Sequence, residues 1–278
     1  MVEKRGIGTI ISHVVLIAGI AVMCFPIYLA FVAASVSHRE IIRPPMPLVP
    51  GPHLVDNFVT AITEGTNVGA ATMMFNSLVM AMGIAIGKIA ISIISAYAIV
   101  YFRFPFRMLA FWAIFMTLML PVEVRIVPTY EVVASLKMLN SYTGLILPLI
   151  ASATATFLFR QFFMTIPDEL VEAARVDGAG PLRFFKDILL PLSVTNIAAL
   201  FVILFIYGWT QYLWPLLMTN RNDMTTIVIG LKKMISFADA DTQWHLVMVT
   251  AMLAIIPPIL VVLFMQRWFV RGLIETEK

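Results

Sequence analysis

The sequence predicts an all-α, polytopic membrane protein with six transmembrane helices, and three observations carry that reading. Of 278 residues 60% are apolar, and the mean hydropathy is +0.93. Only 13% are charged, against roughly 25% in ordinary soluble domains. A water-soluble fold of this length would need far more charge on its surface, so a soluble enzyme is excluded. Third, six stretches are apolar over roughly the 20 residues that a helix needs to cross a hydrocarbon core. Hydrocarbon offers no water to satisfy backbone N–H and C=O groups, and no alternating pattern is present, so the spans are helices rather than barrel strands.

The first span, 11–34, follows Lys4 and Arg5, and the small residues Ala33, Ala34 and Ser35 stand at its end. Its apolar run is about twice the length of a signal-peptide core, so it reads as an uncleaved anchor. Residues 35–72 carry Pro44, Pro45, Pro47, Pro50 and Pro52 and read as an extended connection. The remaining spans are 75–101, 108–127, 142–163, 196–218 and 244–266. Between the third and fourth, Val132, Val133, Leu136 and Leu139 recur at helical spacing and predict a short surface helix within 129–140. No soluble domain fits between the spans, so residues 1–278 form one transmembrane domain. With the N-terminus inside, inner segments hold eleven Lys and Arg and outer segments seven, Lys88 lying within a span. That excess places both termini in the cytoplasm. Cys24 is the single cysteine, and His13, His38, His53 and His245 are scattered, so no disulfide or metal framework is visible. The pI near 9.1 reflects a net charge of only +3 beside apolar runs, which fits membrane orientation and not nucleic acid.

The inner loop, 164–195, carries the most information. Its core reads Ile166-Pro167-Asp168-Glu169-Leu170-Val171-Glu172-Ala173-Ala174-Arg175-Val176-Asp177-Gly178. Proline suits a first helical turn, Asp168 and Glu169 complement the dipole there, and Gly178 suits a left-handed stop. A helix of about eleven residues, ~16 Å long, therefore hangs below the membrane, and a second begins near Pro181. Leu170, Ala173, Ala174 and Asp177 share a face on which small residues admit close approach. Such a helix is either a solvated connector or a docking element.

Glu172-Ala173-Ala174, three residues, Gly178, nine residues, then Ile188-Leu189-Leu190-Pro191 resembles the cytoplasmic EAA loop of permease subunits of bacterial binding-protein-dependent ABC importers. Gly208-Trp209-Thr210-Gln211-Tyr212-Leu213-Trp214-Pro215 is similar to the sugar-uptake branch of that family. Pro121–Ile126 and Ala151–Phe163 extend the likeness over nearly the whole chain. The resemblance implies a type I importer permease fold in a bacterial inner membrane and alternating access driven by a partner. It implies a homologous second permease, a dimer of ATP-binding subunits that hold ATP and Mg²⁺, a periplasmic binding protein, and no cofactor on this chain. Glu172, Ala173, Ala174 and Gly178 are then the coupling element. The implied cargo is sn-glycerol 3-phosphate or a glycerophosphodiester, with a sugar or polyol as the alternative. A self-sufficient secondary transporter is the competing class.

Candidate pathway residues follow from cost and chemistry. Lys88 lies mid-span, where a lysine costs roughly 2.5–3.5 kcal/mol, and shares a helical face with Ala81, Ala85, Ser92 and Ser95. It is either a structurally paired lysine or a contact for an anionic substrate. Glu123 and Arg125, two residues apart, cannot face each other on a helix, so each needs its own partner. Arg125 suits a bidentate phosphate contact or a pair with a sister subunit. Tyr207, Gln211 and Trp214 fall at helical spacing and are either interfacial anchors or polyol contacts. Gly83 through Lys88 superficially resembles a phosphate-binding loop but lacks its spacing and its Ser or Thr. Gly83 and Gly87 read instead as a close helix-packing site.

Overall fold

The computed structural model describes residues 7–65, 68–117, 122–235 and 242–275, and no strand occurs among them. The helices are α1 (Ile7–Ser35), α2 (His38–Ile42), α3 (Leu54–Thr63), α4 (Ala70–Tyr101), α5 (Arg107–Met116), α6 (Val122–Ser135), α7 (Tyr142–Ile146), α8 (Ala153–Phe163), α9 (Asp168–Val176), α10 (Pro181–Phe184), α11 (Leu190–Leu192), α12 (Val194–Trp209), α13 (Leu213–Met218), α14 (Ile227–Ile235) and α15 (Trp244–Glu275). Three stretches are long and apolar enough to cross a bilayer as single helices: Gly8–Ser35, Ala70–Tyr101 and Trp244–Trp268. Two bent pairs, Tyr142–Leu149 with Ala153–Phe163 and Pro181–Leu192 with Val194–Trp209, raise the number to at most five among the described residues if each pair is one span. The expected span 108–127 is not one described helix: α5 covers ten residues, 118–121 lie outside the described residues, and α6 starts at Val122.

The chain divides into two compact units, Met1–Thr72 with Gly230–Ile256, and Met73–Ile229 with Pro257–Lys278. In the first, α1 is apolar on every side, and Ile10, Val14, Ile17, Ile20 and Met23 are all exposed. A helix of that kind belongs in lipid or against another membrane helix. Its C-terminal end packs instead, with Val32, Ala34 and Val36 buried. The region expected to be extended supplies the reason, because it folds into α2 and α3. Asn57 on α3 donates to the carbonyls of Ala34 at 2.9 Å and Val36 at 3.0 Å, holding the end of α1. At α2, Ser37 and Glu40 form a reciprocal capping box, and the Ser37 N–H keeps the Glu40 carboxyl below its ordinary pKa.

In the second unit α4 is the central element. Ala81, Ala85, Lys88, Ser92 and Ala96 form a buried stripe at i, i+3 and i, i+4 spacing, while Ile86 and Ile94 are exposed on the other side. Residues of α4, α6, α7 and α13, with Leu149 and Met224 from short turns outside them, build a core of Met80, Ile84, Ile126, Val133, Leu145, Leu149, Trp214, Met218 and Met224. Glycines permit the approach of neighbours: a Cβ on Gly83 would lie 2.6 Å from Ile146 Cδ1, and one on Gly87 2.5 Å from Ile150 Cγ2. Buried Asn76 closes a polar hub, donating to the carbonyls of Asp223 at 2.8 Å and Thr225 at 3.0 Å and accepting from Tyr142 Oη at 2.7 Å.

Both bends have local causes. The 47° break between the halves of the Tyr142–Phe163 segment follows Pro148, and Ser152 restarts the helix by accepting from the Ala155 N–H. The 70° break lies at Ser193, just after Pro191 and a π-turn over Phe185–Leu189. Pro191 lacks an N–H, so the i→i−4 ladder cannot run through it unaltered.

Candidate functional site

Two places in the second unit carry candidate residues. The first is a cavity of about 420 Å³ lined by Lys88, Ile91 and Ser95 of α4, Ile114 and Thr117, Arg125 of α6, Ala151–Thr154 and Thr156, and Tyr207 of α12. Its size is ordinary for a small-molecule site. Lys88 is only 8% exposed. Its Nζ rests 3.9 Å from the centroid of the Tyr207 ring, where the quadrupole partly replaces lost hydration. Among the described residues no acidic side chain lines the cavity, and no ion pair involves Lys88 or Arg125. The wall also includes Ala153 and Thr154, the first residues of α8, and the leading N–H groups of a helix carry partial positive charge. The arrangement is a polar, net cationic chamber walled partly by apolar side chains, which suits an anion that also carries hydroxyls.

Of the candidates read from sequence, Lys88, Arg125 and Tyr207 meet on this wall. The side chain of Glu123 lies outside the described residues. Gln211 sits beyond the end of α12, where its Nε2 donates to the Tyr207 carbonyl at 3.2 Å. Trp214 is 2% exposed in the core and donates from Nε1 to the Leu145 carbonyl at 3.2 Å. The helical spacing that grouped these last two with Tyr207 breaks at Thr210–Tyr212, between α12 and α13. Thr117 and Ile114 were missed. They stand at the end of a short helix far along the chain, where nothing local marks them, whereas Ser95 shares the Lys88 face and was legible.

The second place is the 164–195 loop. Helix α9 runs over nine residues, with Asp168 and Glu169 in its first turn and Arg175 in its last, each sign matched to the dipole. Gly178 has φ of +72°, the left-handed stop that glycine adopts without Cβ strain. The Ala179 N–H returns to the Ala174 carbonyl at 2.9 Å and closes the end. The two alanines expected on one docking face divide: Ala174 is buried and Ala173 exposed, together with Glu172 and Gly178. Val176 at 87% and Leu182 at 83% exposure add apolar surface that the sequence reading left unused. Behind the hook, Tyr97 Oη donates to the Pro181 carbonyl at 2.8 Å and Tyr101 Oη to the Phe163 carbonyl at 3.3 Å. Tyr101 and Phe184 meet edge to face at 5.4 Å, and this aromatic group fastens the loop to the end of α4.

Residues 88–275 match the family of binding-protein-dependent transport system inner membrane components, and the chain belongs to that family. Over its whole length it is 65% identical to the sn-glycerol-3-phosphate transport system permease protein UgpE of Rhizobium meliloti, and the match covers 100% of both chains. Identity is 64% to the protein of the same name from Brucella melitensis biotype 1 and 60% to that from Yersinia enterocolitica, again with 100% of both chains covered. Its fold is that of a chain in a crystal structure of a bacterial ABC transporter involved in the import of the acidic polysaccharide alginate. That likeness has a TM-score of 0.83 at 20% identity, covering 97% of this chain and 99% of the other.

Proposed function

We propose that this chain is one of two homologous permease subunits of an ATP-driven importer that moves sn-glycerol 3-phosphate into the cytoplasm. The observation that carries the reading is identity of 60–65% along the full length to permeases named for that substrate. In this reading the chain crosses the inner membrane six times, with both termini in the cytoplasm. The expected span 108–127 includes nearly all of α5 and the start of α6. A dimer of ATP-binding subunits holds ATP and Mg²⁺, and a periplasmic binding protein delivers the substrate. The permease itself carries no cofactor and breaks no bond.

The hook gives the mechanism. Glu172, Ala173 and the exposed Val176 form the surface of α9 that enters a cleft of the ATPase, and Gly178 fixes where that surface ends. Closure of the ATPase dimer displaces α9, and the attached helices rock as rigid bodies between outward- and inward-open states. The test is ATPase activity of the whole complex in proteoliposomes, with the binding protein loaded in turn with sn-glycerol 3-phosphate, a glycerophosphodiester, a polyol or a disaccharide. Stimulation and uptake with the phosphate ester are expected. Stimulation by the sugar or polyol alone overturns the substrate, and transport by this chain without the ATPase overturns the importer.

A further inference from the structure

We propose that Lys88 and Arg125 form the phosphate-holding part of the transport path, so that this subunit, and not only its sister, recognises the anionic end of the cargo. The proposal rests on the importer reading and adds the residues and the subunit. A lysine that is 8% exposed within the longest uninterrupted apolar helix of the second unit is costly, and its partner decides what it is for. A purely structural lysine would be paired with a carboxylate, because a buried charge without one is destabilising. Among the described residues Lys88 has the face of Tyr207 instead. Arg125 lines the same chamber, again without a carboxylate among the described residues. Among the described residues the chamber therefore presents two cations, and a phosphate monoester carries about −1.5 to −2 near neutral pH.

The aromatic face serves as a resting place that gives way to a better partner. Cation–π attraction keeps Lys88 ordered in the absence of cargo and is weaker than a charge-assisted hydrogen bond to phosphate. Arg125 supplies a planar fork able to hold two phosphate oxygens. Thr154, Ser95 and Thr117 on the remaining wall offer hydroxyls to a glycerol moiety.

The test uses the whole importer in proteoliposomes with loaded binding protein, comparing wild type with Lys88→Met, Lys88→Arg, Arg125→Gln and Arg125→Lys. Methionine fills the space of the lysine and removes a buried charge, so a structural lysine predicts a complex at least as stable that still transports. The proposed site predicts a well-assembled Lys88→Met complex with sn-glycerol 3-phosphate uptake lowered about tenfold or more, the size of a lost charge-assisted hydrogen bond. Arg125→Gln should fall similarly, while Lys88→Arg and Arg125→Lys keep most uptake. Near-normal uptake in Lys88→Met or Arg125→Gln overturns the proposal, as does failure of the charge-conserving variants to rescue. Arg125 is exposed, so its pair decides the matter if a Lys88 variant does not assemble. If wild type itself fails to import the ester, the importer reading falls first, and this site falls with it.

Discussion

Gly208 offers a sharp test of how α12 meets α4. A Cβ placed there would lie 2.8 Å from Ala81 Cα and 3.3 Å from the Ala81 carbonyl oxygen, both backbone atoms. Ordinary van der Waals contact begins near 3.4 Å, so Gly208→Ala needs the two helices to separate by more than half an ångström. Overpacking of this kind costs about 1–3 kcal/mol, offset by ~0.5–1 kcal/mol of helix propensity gained over glycine. The net is a destabilisation of about 1–2 kcal/mol. Gly83→Ala is the comparison: all the contacts there are with the side chain of Ile146, Cδ1 at 2.6 Å and Cγ1 and Cγ2 at 3.0 Å, and none is with backbone, so a side chain and not a helix must shift, while the propensity gain is the same. Thermal unfolding of the purified complex in detergent should place the Gly208→Ala midpoint a few degrees below that of Gly83→Ala, at about 2–4 °C per kcal/mol. Uptake should fall with it, because Tyr207, which cradles Lys88, is the adjacent residue. Equal midpoints, or Gly208→Ala the more stable, would refute the close backbone approach of α12 to α4.

Two further outcomes follow from the same reasoning. Asn76→Ala removes one side chain that serves two carbonyls and a tyrosine hydroxyl at 1% exposure. With buried partners left unmet, the loss should be about 2–4 kcal/mol, read as an unfolding midpoint below that of wild type and of any surface variant. At the hook, Gly178→Ala meets a φ of +72° and costs about 1 kcal/mol of backbone strain. Gly180, with φ of −70° and open space around it, accepts alanine freely. ATPase-coupled uptake should therefore fall in Gly178→Ala and stay at the wild-type level in Gly180→Ala, and equal behaviour of the two would remove the left-handed stop from the mechanism.

What was legible in the sequence was periodic. Ala81, Ala85, Lys88 and Ser92 announced the inward face of α4 because burial and spacing agree along an unbroken helix, and Gly83 and Gly87 announced a close neighbour for the same reason. Gly178 was legible because a left-handed stop needs a residue without a Cβ. The breaks were not. Apolar length measures how long a segment can stay in lipid, not whether its hydrogen-bond ladder is continuous, so the interruptions at 150–152 and 210–212 were read through. That is why Trp214 was placed on one face with Tyr207, whereas it packs in the core from a separate helix. Helix α3 was hidden for the opposite reason: neighbouring prolines suggested an extended chain, but its formation is repaid by a contact with the end of α1 that is distant in sequence.

The position of Lys88 on α4 joins the two candidate sites mechanically. Tyr97 and Tyr101, which fasten the hook loop, follow Lys88 by nine and thirteen residues on the same helix, about 14 and 20 Å along its axis. No glycine or proline interrupts that stretch, whereas Gly83 and Gly87 lie on the far side of Lys88. A helix segment without such residues has no ready point at which to kink, so it moves as a rod. Displacing the hook therefore carries Lys88 with it, while Arg125 and Tyr207 ride on α6 and α12. The distance between the two cations, and the hold of the tyrosine ring on one of them, then depends on where the hook stands. In the proposed importer the grip on the anion thereby changes with the position of the hook, and one uninterrupted helical segment, residues 89–101, supplies the link.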